Sequence, residues 1–243
     1  NSKYINKLKP MISLKFSPNN TKDIRNKNRR IDSNNVFMMN RISANDSVEG
    51  GASLTYGAEF SKNNKSDKEI FGAKIANIIR PEEDENLPKN NNFGDKTSDF
   101  IGALNYSPND IVKLNYNFSL DSNLSEKNYE ILSSEFRVNN FVTTFEYLNE
   151  NDTIGSSSYL ANKTMFNIDA DKNLIFETRK NKKTKLTEFY NLVYQYTNDC
   201  LIAAIEYNKD YYSDRDLKPE ENIFFKLTII PFGQTSSPNL KWN

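Results

Sequence analysis

The chain has no histidine and one cysteine, Cys200. The missing imidazole excludes Ser-His-Asp and Cys-His catalysis, together with metal sites built on histidine ligands. No run of about 18 apolar residues occurs, so no helix of this chain is expected to span a membrane. No basic segment followed by an apolar stretch opens it, and it begins at Asn1 without Met; it reads as a mature or truncated piece of something longer. Excess charge is absent too. The 32 Lys and Arg balance 32 Asp and Glu, which argues against a nucleic-acid partner. A helical apolar period is likewise missing at any strength that matters.

What the chain has instead is alternation. In Ile111 to Leu120, Val112, Leu114, Tyr116, Phe118 and Leu120 fall on one face, and Lys113, Asn115, Asn117 and Ser119 on the other. A side-chain period of two is the period of a strand. About twelve such segments follow one another. They are Pro10–Ser17, Gly50–Ser61, Glu69–Ile79, Ser98–Tyr106, Asp110–Leu120, Lys127–Val138, Phe141–Asn149, Ser158–Ile168, Asn173–Lys180, Leu186–Tyr196, Cys200–Asn208 and Glu221–Ile230. Asn34–Arg41 is expected to be a short helix capped by Ser33 or Asn34. Pro18–Arg30 reads as a polar, basic loop and Arg80–Lys96 as a long acidic one. Gln234–Asn243 reads as a polar tail after a β unit covering residues 1–233.

The oily face of such strands needs cover, from a second sheet or from lipid. Most of the 16 Phe and 13 Tyr sit in the strands, while Asn, Lys, Ser and Asp fill the connections and keep mean hydropathy low. Strands of about 9–11 residues are long enough to cross a bilayer at a tilt, whereas sandwich strands run about 5–6. Tight turns alternate in part with longer polar loops. These features favour an all-β, antiparallel transmembrane β-barrel over a soluble sandwich.

Several constellations invite chemistry and support little of it. Asp169, Asp171 and Asn173 have the spacing that opens a calcium loop, but Leu174 replaces its glycine and Lys180 its closing glutamate; a hairpin turn is the better reading and no metal is expected. Asp46 and Glu49 form a carboxylate pair beside Gly50 and Gly51, best read as shaping the entry to a strand inside a polar lumen. Lys62, Lys65 and Lys68, like Lys180, Lys182, Lys183 and Lys185, gather at turns, as solubilising groups or as contacts to anionic head groups. Cys200 opens a strand on the wet face, where both an inert thiol and a disulfide partner fit.

Three stretches carry a resemblance. Asn34 to Gly51, with Asn40, Arg41, Asp46, Glu49, Gly50 and Gly51, followed by Leu54-Thr55-Tyr56-Gly57, resembles a signature stretch of the LptD family of LPS-assembly proteins, also called organic solvent tolerance proteins. Tyr194 to Cys200 resembles its tyrosine-rich segment ending in Asp-Cys, and Asp210 to Gly233 resembles its closing strand. The resemblance implies an outer-membrane barrel of about 26 strands, of which this chain would supply the C-terminal half. Lipopolysaccharide would leave sideways between the first and last strands, with Asn222, Ile223, Phe224, Phe225, Lys226, Leu227, Thr228 and Ile229 as one lip of the gate. The implied partners are an LptE-like lipoprotein plug in the barrel and an LptA-like periplasmic bridge reached through an N-terminal domain not in this sequence. Cys200 would match a family cysteine that pairs with that domain; relatives often carry two adjacent cysteines, and here Leu201 follows.

Translocation breaks no covalent bond, so no enzyme activity and no cofactor are expected. Wet-face residues such as Lys113, Asn115, Asn117 and Glu206 would line the lumen as a hydrophilic wall. The competing readings are a generic porin or channel barrel without a lipid substrate, an outer-membrane hydrolase, and a soluble sandwich adhesin.

Overall fold

In a computed structural model, residues 4–42, 47–151, 157–211, 220–229, 233–236 and 240–241 are described. Period-two alternation gives twelve long strands: β1 (Tyr4–Ser17), β2 (Gly51–Asn64), β3 (Glu69–Ile79), β4 (Phe100–Tyr106), β5 (Val112–Leu120), β6 (Lys127–Val138), β7 (Phe141–Glu150), β8 (Ser158–Asn167), β9 (Lys172–Asn181), β10 (Thr187–Thr197), β11 (Leu201–Asp210) and β12 (Glu220–Ile229). Two short pieces follow, β13 (Gly233–Ser236) and β14 (Leu240–Lys241), both antiparallel to β12. The sheet order follows the chain from β1 to β13, the meander expected of an up-and-down barrel segment. The twelve-strand, all-β, antiparallel expectation therefore holds. β1 begins at Tyr4, earlier than the Pro10 the sequence suggested.

The expected helix at Asn34–Arg41 is absent. That stretch is a series of turns, in which the amide of Val36 donates to the Asp32 carbonyl at 3.1 Å. Asp32 Oδ1, rather than Ser33 or Asn34, accepts from the amides of Asn34 (2.7 Å) and Asn35 (2.9 Å). Four apolar residues and one cap are too few to propagate a helix against the cost of its nucleus. Among the described residues the only helical piece is a short 3-10 turn, Asn90–Asn92.

The chain divides into two compact units. The first, Asn1–Leu132 with Leu148–Ser157, holds β1–β5, the start of β6 and the end of β7. Its registers stack like with like. Ile12 faces Tyr56 and Tyr56 faces Asn77; Pro10 faces Ala58, then Ile75, Gly102 and Phe118 in turn. This face is bare: Leu8, Ile12, Leu14 and Phe16 are 71–82% exposed. The opposite face of β3 carries Ala76 and Ile78. With Ile101 they are buried under Ile24, Ile31, Val36, Ile42, Leu87 and Phe93, which come from the loops between β1 and β2 and between β3 and β4. The face opposite the bare one thus bears, on β3 and β4, an apolar core covered by its own loops.

The second unit, Ser133–Tyr147 with Ser158–Asn243, holds the rest of β6 and β7 and all of β8–β14. Its bare apolar face includes Phe145, Leu160, Phe166, Leu192, Ile205 and Phe225. Its other face carries cross-strand polar rows, Lys163 opposite Glu177, Glu177 opposite Asn191, Asn191 opposite Asn208 and Asn208 opposite Asn222. Apolar bands as continuous as these are costly in water, and among the described residues no second sheet lies on them.

Candidate functional site

The most closely built group in the molecule forms where the loops of the first unit meet the inner face of β1–β3. Glu49, just before β2, is fully buried. Its Oε2 accepts from Lys15 Nζ and Arg41 Nε, each at 2.8 Å; its Oε1 accepts from Arg41 Nη2 and Arg80 Nη2. Arg41 also donates from Nη1 to Thr55 Oγ1 (2.9 Å) and from Nη2 to Ser53 Oγ (2.6 Å). Arg80 donates from Nε to the Phe93 carbonyl at 3.1 Å, and the Phe93 ring lies under both guanidinium groups, 5.9 Å from Arg41 and 5.3 Å from Arg80. Burial alone would push the Glu49 carboxyl up. The charges of Arg80 and Arg41 and the hydrogen bonds from Arg41 and Lys15 outweigh it and hold the group below the ordinary carboxylate range.

The backbone beside Glu49 explains the two glycines. A Cβ on Gly50 would run into the carbonyl oxygen of Asn19, and the Gly50 amide donates to Thr21 Oγ1 at 2.8 Å. Gly51 has φ +72°, a left-handed conformation that a side chain strains. The chain can therefore turn from the loop into β2 with Glu49 pointing inward.

The two loops also complement each other in charge. Lys22, Arg25, Lys27, Arg29 and Arg30 lie in the first, and Glu82, Glu83, Asp84 and Glu85 in the second. Ile24 N–H donates to the Asn86 carbonyl (2.9 Å), Arg25 Nη2 to Asn86 Oδ1 (3.2 Å), and Thr21 Oγ1 to Asp84. A second buried carboxylate, Asp99, anchors the far end of the second loop. It accepts from Asn92 Nδ2 (2.8 Å), Ser119 Oγ (2.5 Å) and Asn128 Nδ2 (2.8 Å). Burial pushes its carboxyl up, against those three hydrogen bonds and with the Asp121 charge adding to the rise.

Of the signature residues, the structure brings Arg41, Glu49, Gly50 and Gly51 together. Asn40 Oδ1 accepts from the Ile42 amide at 3.2 Å. Asp46 lies outside the described residues, as do residues 212–219 and 230–232 of the closing stretch. Thr55 belongs to the signature stretch, but Lys15, Ser53, Arg80 and Phe93 were not singled out from the sequence. A cation among small polar residues on a wet face, as Lys15 is between Ser13 and Ser17, was the one available signal.

The other expected residues are spread along the sheet. Lys113, Asn115 and Asn117 alternate on β5 opposite its apolar face, and Asn117 Oδ1 accepts from Ser33 Oγ of the first loop at 3.3 Å. Glu206 on β11 accepts from Asn191 Nδ2 at 2.6 Å. Asn222–Ile229 lies within β12; among the described residues its far edge meets the four residues of β13 and the two of β14. Cys200 is a free, exposed thiol in the turn ahead of β11 rather than the first residue of the strand, because Asn198 Oδ1 holds the amides of Cys200 (3.0 Å) and Leu201 (2.8 Å) in a tight turn. Asp169 is also a turn residue, bonded to the Asp171 amide at 3.0 Å and to Lys172 Nζ at 2.7 Å.

Compared with models of protein families, residues 1–179 match LptD, described as LPS transport system D. No curated protein matches the chain.

Proposed function

This chain belongs to the LPS transport system D family, and from that premise we propose that it is the C-terminal part of an outer-membrane barrel that delivers lipopolysaccharide into the outer leaflet through a lateral opening. The family is a transport family, and its role in LPS transport extends to this chain.

The observation that carries the reading is the two-faced sheet. One face bears exposed apolar side chains on every long strand of the second unit, and the other bears rows such as Lys163, Glu177, Asn191 and Asn208. A charged sugar head is the costly part of an amphiphile to move across hydrocarbon. Polar walls including Lys113, Asn115, Asn117 and Glu206 solvate it, while acyl chains enter lipid through a seam. β12 suits one lip of that seam, because among the described residues its far edge is paired at six positions, all with β13 and β14.

Sidedness follows from the connections. In the first unit the long loops, residues 18–50 and 80–99, leave one end of the strands, and the tight turns at 65–68 and 107–111 leave the other. Short turns are periplasmic in outer-membrane barrels. In the second unit Cys200 sits in the three-residue connection between β10 and β11, shorter than the loops that flank that hairpin on the opposite side. A periplasmic thiol there is placed for a disulfide with an N-terminal domain that meets an LptA-like bridge, and an LptE-like lipoprotein would occupy the lumen beside the loops of the first unit.

The test is a reversible lock in the full-length protein. A cysteine replacing Leu227 on β12, paired with one on the first strand of the barrel, should stop surface delivery of lipopolysaccharide when oxidised and restore it on reduction. Unimpaired delivery by the fully crosslinked protein overturns the lateral-gate reading.

A further inference from the structure

Positive charge gathers at one end of the second unit. From Arg179 to Lys185, five of seven residues are Lys or Arg and none is acidic. The turns at the opposite end carry Asp169, Asp171 and Asp199, and Lys172 beside them is paired with Asp169 at 2.7 Å. Because the strands are antiparallel, the β9–β10 connection at 182–186 leaves the sheet at the end opposite the connections at 168–171 and 198–200. By the turn-length rule applied above, that end is extracellular.

The charge is not spent within the fold. Glu188 is the one carboxylate between Arg179 and Asn198, and it already accepts from Arg179 Nε and from Asn181 Nδ2 (3.0 Å). Among the described residues, no carboxylate forms an ion pair with Lys180, Lys182 or Lys185. All three side chains are exposed. The turn that carries them is pinned: Asn181 Oδ1 accepts from the amides of Lys183 (2.9 Å) and Thr184 (3.0 Å), and the Asn181 amide donates to the Leu186 carbonyl at 2.8 Å. Hydrocarbon-type surface begins directly below. Lys180 stands opposite Leu160 and four residues past Phe176, on the bare apolar face. Phe176 stacks on Tyr190 at 6.2 Å, and Lys182 Nζ lies 4.3 Å from the centre of the Tyr147 ring. Tyrosines at the edge of an apolar band mark the level of the lipid head groups.

We infer that the β9–β10 turn holds a phosphate of a lipopolysaccharide head group in the outer leaflet, with Lys180, Lys182 and Lys185 as its counter-ions. Unpaired cations set immediately above an apolar band fit an anion that is joined to acyl chains, and a soluble anion would have no use for the band. The extracellular end selects the lipid of the outer leaflet over the phospholipids of the inner one. β11 alone stands between this hairpin and β12, so the turn is a receiving point beside the proposed exit. This inference rests on the lipopolysaccharide reading above.

The test uses the full-length protein with its native partners in phosphatidylethanolamine nanodiscs containing graded fractions of lipopolysaccharide. A photo-crosslinking residue replaces Leu160, opposite Lys180, and lipid adducts are quantified. Lys180→Gln and Lys182→Gln should each raise the lipopolysaccharide fraction that gives half-maximal adducts about fivefold, the worth of one lysine at an anionic surface. Lys180→Arg and Lys182→Arg keep the charge and should leave that fraction unchanged. Lipopolysaccharide stripped of its phosphates should respond to none of the four substitutions. In a parallel arm, phosphatidylglycerol replaces lipopolysaccharide and should respond less. Lipopolysaccharide adducts unchanged when both lysines are Gln, an equal loss with the dephosphorylated lipid or in the Arg variants, or an equal response from phosphatidylglycerol overturns the assignment. Surface delivery of lipopolysaccharide is scored separately in cells: its failure in the wild type overturns the transport reading, whereas the adduct results bear on the turn alone.

Discussion

Replacing Glu49 with glutamine should free the two inner loops from the sheet. Three cations, Lys15, Arg41 and Arg80, share this one carboxylate, and four donors converge on its two oxygens. An amide of the same shape has one acceptor oxygen, and its –NH₂ would face donors. Removing one side of a buried ion pair costs about 3–5 kcal/mol, because the charges left behind stay desolvated. At about 1.36 kcal/mol per decade, that is roughly two to four orders of magnitude in the local opening equilibrium. The reporters are amides whose bonds exist only while the loops are docked: Ile24 to the Asn86 carbonyl, Asp84 to the Gly94 carbonyl and Arg80 to the Lys96 carbonyl. Hydrogen exchange on the full-length, detergent-solubilised protein should accelerate at these positions in Glu49→Gln, while strand amides at Tyr116 and Leu192 keep their protection. Arg80→Met should have a smaller effect, since Arg41 and Lys15 still hold the carboxylate. If exchange at Ile24 and Asp84 is unchanged in Glu49→Gln, the cluster does not fasten the loops and the reasoning fails.

The two buried carboxylates should respond to acid in opposite ways. Glu49 has a depressed folded-state pKa, so its contribution is complete above the unfolded carboxylate value and is lost only as pH falls through the lower folded value; loop protection should survive mild acid. Asp99 has a raised one, so its burial penalty is complete above the folded value and vanishes below the unfolded one; Asp99→Asn should remove that pH dependence, with exchange at the Asp99 amide as readout. Gly50→Ala should cost about 1–3 kcal/mol through its clash with Asn19, seen as faster exchange in the first loop. Spin labels at Leu114 and Phe145 should be relaxed by bilayer-dissolved oxygen and shielded from aqueous quenchers; the reverse result would put the apolar face in water. Cys200→Ser should change the non-reducing gel mobility of the full-length protein, and unchanged mobility would remove the proposed disulfide.

Strands were legible because alternation is a local signal that a one-residue slip would destroy; eleven of the twelve lie within three residues of where the period placed them, and β1 starts six residues early. The inner loops were not. Ile24, Ile31, Val36 and Ile42 follow no period, so nothing in their spacing says that they cover Ala76 and Ile78. The stretch from Asn34 to Arg41 looked helical because its four apolar residues are consecutive, yet they are spent individually, Val36 entering the core while Met38 and Met39 stay exposed. Arg41 and Glu49 were visible as a pattern, but their partners Lys15 and Arg80 come from two residues before one strand end and one residue after another. Only pairing β1, β2 and β3 side by side brings those together.

Because each strand from β2 to β13 neighbours its predecessor in the chain, construction can proceed in one direction. Each hairpin needs only the one before it as a template, so the loop-closure entropy at every addition is small. The salt cluster obeys the same economy: Lys15, Glu49 and Arg80 all belong to the first three strands and their connections, so the inner loops can lock down while the later strands are still to be laid.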